Sequence, residues 1–131
     1  MSLPRSHLLV AATQLLVAAV LGAGIWLALP ARWWPVDIGG SALALACVGG
    51  AIGLVVGRPW GILLARVASW ALLVSGCVTV TALAFSVAHL FGLYGPVGAG
   101  GSLLLGTIAA LIVPYLVGLP ALQLRWLTRG R

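Results

Sequence analysis

The sequence predicts an all-α integral membrane protein, a four-helix transmembrane bundle, and three observations carry that prediction. First, 63% of the 131 residues are hydrophobic and only 6% are charged, with a mean hydropathy of +1.21. A soluble domain is about a quarter charged, so this chain cannot coat a globule with polar side chains. Second, its apolar runs are continuous and about 20 residues long, the helix length that crosses a hydrocarbon core of roughly 30 Å. A membrane barrel would instead alternate apolar and polar residues. Third, small residues recur every fourth position in two of the runs: Gly49, Gly53 and Gly57, then Gly98, Ser102, Gly106 and Ala110. Residues four apart share one helix face. In lipid, where burying apolar surface gains little, close backbone approach at such faces drives helices together. These two stripes are read as the packing surfaces of a single four-span domain, residues 1–131, with spans at roughly 8–29, 38–57, 62–91 and 97–122.

The first run, Leu8 to Leu29, is interrupted only by Thr13 and Gln14. Its apolar core is longer than the 7–15 residues of a cleaved signal peptide, so it is read as a true span. Pro30 to Asp37 forms the first loop, because two prolines stop helix propagation and Trp33–Trp34 fits the membrane–water boundary. Asp37 stands where the second helix is expected to start and reads as its N-cap. The second span carries the first glycine stripe and ends at Gly57–Arg58–Pro59–Trp60, a turn too common to name a family. From Trp60 to Phe91 no proline intervenes, a length of about 48 Å as helix. Placing Trp60 and Arg66 in the headgroup layer resolves the excess. Gly92 to Pro96 is expected to be the third loop. The fourth span starts near Val97, and Pro114 and Pro120 should bend it. A basic tail follows from Gln123, with Arg125, Trp126, Arg129 and Arg131.

Net charge is +6, from seven arginines against a single acid, Asp37. These arginines stand singly at the ends of apolar runs, so nucleic acid is not the expected partner; membrane lipids are. With four spans, Arg5, Arg58, Arg66, Arg125, Arg129 and Arg131 share one side and Arg32 alone holds the other. That bias predicts both termini in the cytoplasm. Arginine without lysine, with an Ala/Gly/Leu/Val bias, points to a high-GC bacterium and its inner membrane. Cys47 and Cys77 lie in apolar runs without metal-ligand spacing and read as small packing residues.

Ionisable residues inside a membrane usually mark function, and no Asp, Glu or Lys lies within these spans. A proton-coupled transporter would want a mid-span carboxylate, and hydrolysis would want a nucleophile–base set. Neither is present, so no enzyme activity, cofactor or metal is expected. Gln14, the deepest amide, reads as an interhelical hydrogen bond rather than a substrate contact. On the outer side, Arg32, Trp33, Trp34, Asp37, His89 and Tyr94 gather base, acid, indole, imidazole and phenol. They read either as an aromatic belt with an Arg32–Asp37 pair or as a pocket for a quinone or lipid headgroup. Arg58, Arg66, Arg125 and Arg129 are expected to meet lipid phosphates or a partner protein. Ser75, Thr79 and Ser86 fall near one face and could line a polar path, although such hydroxyls usually bond to their own helix.

The expected function is therefore a non-catalytic structural or accessory subunit, a homo-oligomer or part of a larger membrane complex, packing through its small-residue faces. Two alternatives are a small transporter or channel for an apolar or weakly polar solute, and a quinone- or lipid-headgroup-binding protein.

Overall fold

The computed structural model describes residues 5–28 and 33–129, with backbone alone at 28, 96, 97 and 129. Every secondary-structure element among the described residues is helical. Four helices are long and apolar enough to cross a membrane: Arg5–Leu27, Trp34–Val55, Pro59–Gly95 and Gly98–Thr128. They are termed here the first to fourth spans.

The first span buries Val10, Ala11, Gln14, Val17 and Ala18, a stripe at helical spacing, and widens into a π-turn at Gly24–Ala28. The second begins at Trp34, earlier than the Asp37 cap implied. Trp33 is extended at the N-cap (φ −122°, ψ 98°) and offers no side-chain cap. Its carbonyl accepts from Val36 N at 2.9 Å and Asp37 N at 3.1 Å. Pro35 fits this first turn because its missing N–H has no helical acceptor there. Asp37 is thus a helical residue of the first turn, where its charge still suits the helix dipole, and not the cap.

The second span closes on a glycine turn. Arg58 N donates to Gly53 O at 2.9 Å and Gly57 N to Leu54 O at 3.2 Å, the paired bonds of a Schellman cap. Gly57 takes φ +72° to make them. Pro59 then opens the third span. The third and fourth spans follow each other with a break only at Gly95 (φ 51°, ψ −132°), so the third loop is far shorter than the Gly92–Pro96 segment expected. Helix also continues to Arg129. The residues expected as a tail bury Gln123 and Leu127, four apart on one face.

The chain forms two compact units, one of Met1–Ala71 with Leu122–Arg131, the other Leu72–Ala121. In the first unit the core is Val10, Ala11, Ala51, Leu54, Ala65 and Leu127, with Ile62 and Trp126 against it. All four spans contribute an end to this cluster. The second unit is an antiparallel helical hairpin. A Cβ on Gly76 would collide with the Leu116 backbone, and one on Gly98 with that of Leu90. Ser102 Oγ donates to Val87 O at 3.3 Å between them. Pro114 is absorbed by a π-turn, Pro114–Gly118, in which Leu119 N–H bonds to Pro114 O.

Candidate functional site

The polar side chains that the first unit buries converge on one cluster. Gln14, Ser69 and Gln123, from the first, third and fourth spans, are each fully buried. Gln14 Nε2 donates to Ser69 Oγ at 3.0 Å and Gln123 Oε1 at 3.2 Å, with Ala65 O at 3.3 Å. The Ser69 hydroxyl is shared between Ala65 O at 2.8 Å and Gln123 Oε1 at 2.9 Å. Gln123 Nε2 donates to Thr13 Oγ1 at 2.9 Å. Gln14 Oε1 is buried without a hydrogen bond among the described residues. Among the described residues no group of three or more His, Cys, Asp or Glu is placed to hold a metal ion. Enclosed amides and hydroxyls of this kind tie helices together.

Reading the sequence finds Gln14 and its interhelical role but misses Ser69 and Gln123. Ser69 is masked by being one of several hydroxyls in the third span, and Gln123 by lying past the expected end of the fourth. The signal was available: in a four-span chain, Gln14 and Gln123 fall at similar depth on the arginine-rich side.

Each small-residue stripe meets the third span within its own unit. A Cβ on Gly53 would lie 2.5 Å from Gly61 Cα, and one on Gly50 would lie 3.0 Å from the Ala65 backbone. Gly49 meets the flexible end of Leu64, with 2.9 Å to its Cδ2. Gly57 does not extend this contact, since a Cβ there would meet nothing within 4 Å and its role is the left-handed cap. Gly50, one position off the expected stripe, packs instead. In the second unit Gly98 and Ser102 contact the helix opposite, whereas Gly106 has nothing within 4 Å. Gly106 and Ala110 line an apolar groove of about 570 Å³ with Val87, Phe91 and Leu103.

The residues expected to gather on the outer side divide between the units. Trp33 and Trp34 are exposed, and Asp37 is half-buried, all in the first unit. Asp37 lines a cleft of about 400 Å³ with Trp26, Ile38, Ser41, Ala42 and Leu45. His89 and Tyr94 are exposed on the second unit. Arg32 lies outside the described residues. Of the basic residues, Arg58 and Arg125 are exposed and Arg66 is half-buried, its Nε enclosed without a hydrogen bond among the described residues. The side chain of Arg129 lies outside those described. Thr79 and Ser86 donate to Ser75 O and Ala82 O of their own helix, and Ser75 Oγ donates to Leu72 O. The hydroxyl face is therefore turned back on the backbone.

Comparison with family models, with curated proteins and with solved structures gives no match.

Proposed function

We propose that the chain is a non-catalytic structural or accessory subunit of a bacterial inner membrane, with both termini in the cytoplasm, that associates laterally with a helix of a neighbouring subunit. One observation carries this reading. The small-residue face of the fourth span is occupied at Gly98 and Ser102 and vacant at Gly106, beside an open apolar groove. In lipid such a bare backbone is a packing surface for a helix. The interior polar groups point the same way, because Gln14, Ser69 and Gln123 bond to one another and the hydroxyls of the third span to their own helix. Neither set offers a path or a reactive centre, which disfavours transport and catalysis.

Gly106→Leu tests the proposal. Leucine there meets no atom of the chain's own fold within 4 Å of the new Cβ, so folding should survive while a helix seated in the groove is pushed away. Crosslinking in native membranes, with light scattering in mild detergent, should show the assembly shrink. An unchanged size would remove the proposal's support. Gly53→Leu is not an equivalent test, because Gly53 already touches Gly61 within the chain.

A further inference from the structure

We propose that the cleft between the first and second spans binds the headgroup of an ethanolamine-type lipid, with Asp37 receiving its ammonium and Ser41 accepting a hydrogen bond from it. This site is independent of the lateral association proposed above.

The cleft is graded from charged to apolar in the direction a lipid would lie. Asp37, Ser41 and Leu45 recur every four residues, so they descend one face of the second span, with Ile38 and Ala42 beside them. Asp37 stands in the first turn of that span, which begins at Trp34. Trp33 and Trp34, 67% and 72% exposed, mark the headgroup layer at this level. A carboxylate at the depth of headgroups, a hydroxyl one turn below it and aliphatic walls beneath match an amphiphile held head and tail. A volume of about 400 Å³ admits a headgroup with the first part of a chain.

Charge decides the class of headgroup. Asp37 is the only acid in a chain of net charge +6. The arginines elsewhere invite phosphate; this cleft, with a carboxylate in its lining, invites a cation. A carboxylate offers about four lone-pair sites, so it can receive an ammonium beside its other contacts. The Ser41 hydroxyl is enclosed and makes no hydrogen bond among the described residues. A primary ammonium has three N–H donors and can serve both groups, whereas a quaternary choline has none. Trp26, carried into the cleft by the π-turn at Gly24–Ala28, presents an indole that is 57% exposed. A cation resting on that ring gains further attraction.

The test uses the full-length chain in mild detergent, equilibrated with equal amounts of phosphatidylethanolamine, phosphatidylcholine and phosphatidylglycerol and read by native mass spectrometry. The ethanolamine lipid should be retained roughly three- to fivefold over the choline lipid, the ratio expected of one net hydrogen bond that a quaternary ammonium cannot make. That preference should vanish in Asp37→Asn and weaken in Ser41→Ala. Equal retention of ethanolamine and choline lipids by the unaltered chain overturns the proposal without any variant. So does a preference that survives Asp37→Asn, or a dominant retention of phosphatidylglycerol, which would assign lipid binding to the arginines. Should Asp37→Asn fail to fold, Ser41→Leu fills the cleft from its apolar side and is read by the same outcomes.

Discussion

Gln123 carries more of this fold than its place near the C-terminus implies. Its Oε1 accepts from both Gln14 and Ser69, and its Nε2 donates to Thr13. Gln123→Leu removes all three bonds, two acceptor contacts and one donor, although Gln14 and Ser69 each keep Ala65 O, and should cost about 1–3 kcal/mol. Ser69→Ala should cost less, about 0.6 kcal/mol, since the Gln14 amide keeps Ala65 O and Gln123 Oε1. Thermal unfolding in mild detergent ranks the two; a larger loss for Ser69→Ala would show that the hydroxyl, not the amide, organises the cluster. Of this cluster only Gln14 is legible in the sequence. A lone Gln14 in an apolar run has to find a partner, and the sequence says so. Which partner cannot be read, because a serine in the third span looks the same whether it bonds to its own helix, as Thr79 does, or across to another, as Ser69 does.

Among the elements, the hairpin of the second and third spans shows most directly why glycine stands where it does. Gly53 and Gly61 meet backbone to backbone, while Gly57 lies between them as a left-handed cap. Gly53→Ala drives a methyl into Gly61 and should destabilise by about 1–3 kcal/mol, the usual cost of overpacking. Gly57→Ala meets no atom, yet forces an L side chain to φ +72°, at about 1–2 kcal/mol. Gly106→Ala should be nearly neutral in the isolated chain. Measured in one detergent, these three separate close packing, backbone strain and open space; equal losses at all three positions would contradict the geometry. The four-residue period was visible from the sequence, but not its division of labour. A repeat of glycines does not distinguish a contact from a cap, so the period joins Gly57 to Gly53 and passes over Gly50, one step off it. Helix ends are hard to read for a related reason. Trp34–Pro35 starts a helix without any side-chain cap, and Asp37, three residues on, has the chemistry of a cap without its position.

At the scale of the whole molecule, the spans differ in how much of themselves the chain covers. The first two bury 33% and 28% of their most apolar windows, the third and fourth only 11% and 6%. What the chain leaves bare must meet lipid or another protein, and the open groove at Gly106 lies in these less covered spans. Composition alone made the membrane class legible, since no other solvent suits a chain this apolar. Orientation has to be argued from charge and from one packing fact. Val10, Leu54, Ile62 and Leu127 meet in a single cluster, which brings the start of the first span, the Gly57–Arg58 turn and the end of the fourth span to one end of the first unit. Arg5, Arg58 and Arg125 belong to that end, which the positive-inside rule makes the end proposed to face the cytoplasm. In a chain with Cys47 and Cys77 replaced by alanine, Arg58→Cys should resist a membrane-impermeant thiol reagent applied to intact cells and react once the membrane is opened. Tyr94→Cys, at the far end of the 37-residue third span, should react from outside. The reverse pattern would invert the orientation and place the Asp37 cleft in the inner leaflet. Both sites reacting from outside would mean that the chain inserts both ways, an outcome the six-to-one division of arginines opposes.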